Sequence, residues 1–255
     1  MARQLKLPMR IPTAQLTRPH AAGFQMAKQI AGQHGNRLNM GQFSRVMANP
    51  RMQHSIYKEY VKAEQSGNTD TPELRSSYDA LKGDLAKHYA ALTGPKEQGG
   101  LGINVEPIHE DPYTGTGKQF MNTLTGDVNK GTLKVMSTKS TGGHQYFTDE
   151  ENDQFRAVHD FFGHVATGRD FSRHGEEAAW RLHSQMVSPE ARPALTAELR
   201  AQNAYKISSG RFPEQSQQLI GLPDWTSSFD EPDLPQKRTK QPKVEHPQLP
   251  GMEGM

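Results

Sequence analysis

The sequence predicts an α+β fold that is predominantly helical, with a helical core, a small strand–helix–strand unit and extended, proline-rich ends. Three patterns predict it. From Pro72 to Thr93, Leu74, Tyr78, Leu81, Leu85, Tyr89 and Leu92 recur at spacings of three and four, the period of a helix with one buried face. From Thr148, the run Thr148-Asp149-Glu150-Glu151 has the form of a capping box, and Phe155, Val158, Phe162 and Val165 follow at helical spacing. Between these two helices, Ile103–Ile108 and Leu133–Ser137 alternate apolar and polar residues as strands do, with a turn and a short helix expected over 111–122.

Taken in order, residues 1–22 hold Pro8, Pro12 and Pro19 among basic and polar residues and read as an extended arm. Residues 23–226 are expected to form one mainly helical domain. Its first part carries three short stripes: Phe24, Ala27, Ile30 and Ala31; then Phe43, Val46 and Met47, closed by Asn49-Pro50; then Ile56, Tyr57, Tyr60 and Val61. Ser66–Asp70 is a linker. Thr71-Pro72 starts the long helix and Gly94-Pro95 stops it, with His88 expected on its exposed side. A later helix is marked by Ser188 as N-cap and Pro189 at the first position. It should carry Leu195, Leu199 and Ile207 toward a core and end at Ser208-Ser209-Gly210, before a last apolar patch at Leu219–Leu222. Residues 227–255 form a proline-rich basic tail containing Lys237-Arg238-Thr239-Lys240.

Composition bounds the chemistry. The chain has no cysteine, so disulfides, thiolate ligands and cysteine nucleophiles are excluded. Its net charge of +2 is nearly balanced, which does not argue for nucleic-acid binding. Hydrophobic residues are 33% of the chain and mean hydropathy is −0.81. There is no apolar run long enough to span a bilayer and no apolar signal core at the N-terminus, so an intracellular protein is expected, with no membrane partner. Gly115-x-Gly117-Lys118 lacks the spacing of a phosphate loop.

The most informative stretch is Val158-His159-Asp160-Phe161-Phe162-Gly163-His164-Val165. Polar groups in so apolar a turn need partners. An ideal helix turns about 100° per residue, so five residues place His159 and His164 about 140° apart. They reach one ion only if their rings lean inward from two flanks, or if the helix loosens between them. Gly163 permits close approach or a kink. Without an ion, they are two helix histidines making ordinary hydrogen bonds. Glu198, mid-helix between Leu195 and Leu199, is the expected third ligand, because a carboxylate there has little reason to be buried unless a cation holds it. Asp170, Glu176 and Glu177 are its rivals. Two imidazoles and one carboxylate with open positions suit non-haem Fe(II), and the same set serves catalytic Zn²⁺. His144, after Thr141-Gly142-Gly143, is either a further ligand or a plain loop histidine.

His159-Asp160-Phe161-Phe162-Gly163-His164-Val165 resembles the iron-binding motif of the pterin-dependent aromatic amino acid hydroxylases, His-(Asp/Glu)-x-x-Gly-His-Val on a helix, with a glutamate further along the chain. Thr196-Ala197-Glu198-Leu199 is similar to the segment holding that glutamate. The resemblance implies His159, His164 and Glu198 as iron ligands. The run from Gly142 through Tyr205 is also similar to proteins encoded by tailed phages and mobile elements, through its Phe-Thr-Asp-Glu-Glu-Asn, His-Asp-Phe-Phe-Gly-His and Gly-Glu-Glu-x-Ala-Trp series. That implies a place in the host cytoplasm or the virion.

The functional expectation is therefore a metal-binding protein with its site in 142–222, working as a mononuclear non-haem iron enzyme of hydroxylase type. Fe(II) is the expected ion, with Zn or Mn as alternatives. Asp160 would orient a ligand ring or a neighbouring amide, Glu176, Glu177 and Arg173 would line the substrate side, and in a hydrolase Glu177 would act as base. The alternatives are a Zn- or Mn-dependent hydrolase on the same ligands and a structural or internal virion protein. In each case the two ends are expected to dock on other protein subunits.

Overall fold

The computed structural model describes residues 17–66, 70–113 and 117–213. The tail at 227–255, the patch at Leu219–Leu222 and most of the N-terminal arm lie outside them. The fold is α+β and mainly helical. In order come α1 (Ala21–Gln33), α2 (Met40–Ser44), α3 (Pro50–Ser66), α4 (Pro72–Thr93), β1 (Asn104–Ile108), α5 (Lys118–Asn129), β2 (Thr132–Met136), α6 (Asp149–Val158), α7 (Arg173–Met186), α8 (Arg192–Leu195) and α9 (Gln202–Ser209). Two stretches are π-helical. His159–Val165 continues α6, and Thr196–Ala201 joins α8 to α9.

Local chemistry sets the element ends. Thr71 Oγ1 accepts from the Leu74 amide, with Pro72 in the first turn, and so opens α4. Thr148 and Glu151 form the reciprocal capping box of α6: Thr148 Oγ1 accepts from the Glu151 amide and Glu151 Oε2 from the Thr148 amide. β1 and β2 pair in parallel, Asn104 opposite Thr132 through Ile108 opposite Met136. A parallel pair needs a crossover, and α5 supplies it.

The main core joins α1, α4, α5, β2, α6 with its π extension, and α7; Leu81, Leu124, Leu133, Phe161, Phe162 and Trp180 are fully buried in it. A smaller cluster of Ile56, Tyr60, Ala201, Ala204 and Tyr205 fastens α3 to α9. Two expectations need correction. His88 is buried at 2% exposure, because α4 is covered on more than one side, by α6 and by the segments around α8. Ile207 is 40% exposed and lies off the core. The described end of the N-terminal arm is bonded within the chain: the Thr17 amide donates to the Gly168 carbonyl at 3.0 Å and the His20 amide to that of Val165 at 3.1 Å. Gly168 makes this approach possible, since its φ is +69° and a Cβ there would stand 2.3 Å from the Thr17 oxygen.

Candidate metal centre

His159 and His164 converge because the helix does loosen between them. His159–Val165 is π-helical, with amides bonding to the carbonyl five residues back, as from Ala166 to Phe161 at 2.8 Å. In such a wider turn, residues five apart come much closer in angle than they do on an α-helix. The Nε2 atoms of His159 and His164 are therefore 3.1 Å apart, with the rings at 87°. Gly163 lets this turn lie directly on α7. A Cβ at 163 would meet the Ala179 Cβ at 2.8 Å.

That closeness brings in Glu176, on the first turn of α7. Its Oε2 lies 3.4 Å from His159 Nε2 and 3.7 Å from His164 Nε2. These three are the one group of potential ligands found close enough together among the described residues. The triangle they form has a centre about 2.0 Å from each corner, the length of a metal–nitrogen or metal–oxygen bond. His164 Nδ1 faces the Arg169 carbonyl at 3.2 Å. A carbonyl only accepts, so Nδ1 carries the proton and Nε2 offers its lone pair to the centre. Phe171 stacks on the His164 ring at 3.6 Å and closes that side. His164 is fully buried, while the His159 and Glu176 side chains keep 12% and 16% exposure, so the site opens on their side.

The charges of the three groups are coupled. Burial alone would raise the Glu176 carboxyl, but the charge and hydrogen bonds of His164 and His159 hold it far below the usual carboxylate range. Burial would lower His159, yet Glu176 raises it above its ordinary 6.5. An ion bound here would have to displace the proton that Glu176 draws onto His159.

Glu198 lies elsewhere. Its Oε1 accepts from the Tyr78 hydroxyl and faces His144 Nε2 at 3.1 Å, and its Oε2 accepts from Gln202 at 2.5 Å. His144 Nδ1 accepts the Tyr146 and Phe147 amides, so its proton is on Nε2 and points at Glu198. Burial, then the Glu198 charge, keeps the Tyr78 hydroxyl well above its ordinary 10 and thus protonated. Three donors meet this carboxylate inside the protein.

Other expected residues are also placed differently. Glu177 is buried in an ion-pair clamp: Arg181 Nε donates at 3.1 Å, and Arg200 donates through Nε at 3.0 Å and Nη2 at 2.8 Å. It stands about 100° round the helix from Glu176, and both of its carboxylate oxygens are taken by the two arginines. Asp170 Oδ1 accepts from the Ser172 hydroxyl at 2.6 Å and shapes the turn into α7. Arg173 is exposed, with Nε 3.4 Å from His174 Nε2. Asp160 hydrogen-bonds neither ligand ring; the Arg169 carbonyl orients His164 instead. Burial pushes the Asp160 carboxyl up to about 6, against the pull of His159 and His164.

Glu176 and His183 are the residues that sequence reasoning underrated. A signal existed: Glu176, Ala179 and His183 fall at positions i, i+3 and i+7, one face of α7. His183 is fully buried and packs against His159, ring centres 5.6 Å apart. No protein-family model matches this chain, and no curated protein and no solved structure matches it. The likeness to the hydroxylase motif therefore rests on its own residues. Of the ligands it implies, the structure brings together His159 and His164 but not Glu198.

Proposed function

We propose that this chain binds one divalent metal ion through His159, His164 and Glu176, and that it is a mononuclear metalloprotein of the two-histidine, one-carboxylate kind. The observation that carries the reading is the triangle of 3.1, 3.4 and 3.7 Å formed by the three donor atoms. Three protein donors leave coordination positions free, which is the arrangement of non-haem Fe(II) centres. When bound, such an ion supplies Lewis acidity and, as Fe(II), a place for dioxygen chemistry. The residues do the rest. The Arg169 carbonyl fixes the His164 tautomer, Phe171 keeps water from its buried side, and Glu176 provides the negative charge. An oxygenase of hydroxylase type suits this set better than a hydrolase, because Glu177, the base a hydrolase would use, is held by two arginines.

The test is anaerobic titration of the chelated, full-length protein with Fe(II), Zn(II) and Mn(II). One ion per chain should bind, Glu176→Ala should weaken binding by more than about 100-fold, beyond what loss of an outer partner costs, and Glu198→Ala should keep it. Absence of stoichiometric binding by the wild-type chain would sink the reading. Oxygen uptake by the Fe(II) form then tests the oxygenase assignment.

A further inference from the structure

The His164 ring is held from behind by a backbone carbonyl, but the His159 ring has no such support. Its Nδ1 is buried and has no hydrogen-bond partner. If Nε2 is the ligand atom, Nδ1 carries the proton and requires an acceptor. Neither nitrogen of the buried His183 has a well-aligned partner, and one lies against the His159 backbone. Such nitrogens on two adjoining rings, at 0% exposure for His183, are rare in a native interior and call for a bridging group. Gly163 lies beside His159 Nδ1, and Ala179 faces Gly163. A Cβ at Gly163 would stand 3.5 Å from Nδ1 and 2.8 Å from Ala179, which lies one turn before His183 on the same face of α7.

We propose that His183 is a positioning residue for the metal centre, receiving the His159 Nδ1 proton through one internal water. The neutral His183 ring offers one acceptor nitrogen, and a water between them can accept from His159 and donate to His183. The link fixes the tautomer and rotation of His159, as Arg169 does for His164. α7 then serves the centre twice from one face, with Glu176 as ligand and His183 as support for the facing ligand. This inference rests on the metal reading.

The experiment uses full-length wild type, His183→Phe and His183→Gln. Zinc affinity is measured by chelator competition, Co(II) visible absorption reports ligand geometry, and thermal unfolding is followed without metal. His183→Phe removes both ring nitrogens while filling the space, so the metal-free protein should unfold no earlier than wild type. Its zinc affinity should fall by about 10–100-fold and its Co(II) bands should shift. His183→Gln, which can still accept, should recover most of the affinity. Wild-type zinc affinity and Co(II) bands in His183→Phe would overturn this proposal alone. Equal losses in both variants, tracking a fall in unfolding temperature, would overturn it in favour of a packing role. No zinc binding by wild type would overturn it together with the metal reading. Should His183→Phe not fold, His183→Leu set against His183→Gln decides the same question.

Discussion

Removing Glu198 should damage the fold and spare the metal site. In Glu198→Ala, the Tyr78 hydroxyl, His144 Nε2–H and the Gln202 amide lose their acceptor. Each buried donor left unsatisfied costs about 1–3 kcal/mol. Gln202 is half-buried and can turn toward water, but Tyr78 is only 1% exposed and the His144 side chain 4%. Two full penalties put the loss at about 4 kcal/mol. For a domain of this size that is a fall of about 10 °C in Tm. Glu198→Gln, which keeps one acceptor oxygen, should lose clearly less. Urea and thermal unfolding of the metal-free variants measure the cost, and zinc content measures the site. If Glu198→Ala unfolds like wild type but no longer binds zinc, the placement of Glu176 as the carboxylate ligand is wrong.

Glu177→Ala strips the acceptor from Arg181 and Arg200 in a buried setting and should cost about 3–5 kcal/mol while leaving metal stoichiometry intact; loss of metal at unchanged stability would restore Glu177 to the site. Gly163→Ala drives a methyl into Ala179, and should cost about 1–3 kcal/mol and weaken metal binding. Ala179→Gly in the same chain should recover both, and failure of that rescue would refute the close approach as the cause. His88, which burial lowers to about 4, gives a pH test. As pH falls below 6.5 the unfolded chain takes a proton that the folded chain refuses, so stability is full above that pH and drops by about 3 kcal/mol by pH 4. In His88→Phe the decline measured by urea unfolding should be shallower by that amount, and identical slopes would disprove the assignment.

What could be read from the chain was what depends on neighbours in sequence. The Thr148–Glu151 box and the Thr71-Pro72 start of α4 stand where pattern placed them, and the two strands do so to within a residue, although burial alternates along β2 and not along β1. The paired histidines were visible as polar residues in an apolar turn. The carboxylate was not, for two physical reasons. Glu198 is buried by donors 120 and 54 residues away, and no local pattern reports such a bond. Glu176 and Glu177 are adjacent and chemically alike, so only their helical phase separates the proposed ligand from an ion-pair clamp. That phase was available from His183, at seven residues from Glu176. His88 was misjudged because one amphipathic stripe records a single buried face, while α4 is covered on more than one.

The two π segments have a consequence beyond the site. Each is a place where a helix carries one residue more than its α-form needs, so the chain on either side is out of step by a fraction of a turn. The surplus residue between His159 and His164 acts as a spacer. Deleting one residue there would let the helix revert to the better-bonded α form. It would also swing everything that follows, including the Arg169 carbonyl and the Gly168 dock for Thr17, around the helix axis. A shorter, more regular chain would lose the centre it was meant to tidy. Ligand pairs of this kind are thus invisible to a search for histidines four apart, and the spacing of five is itself the mark of a helix with an inserted residue.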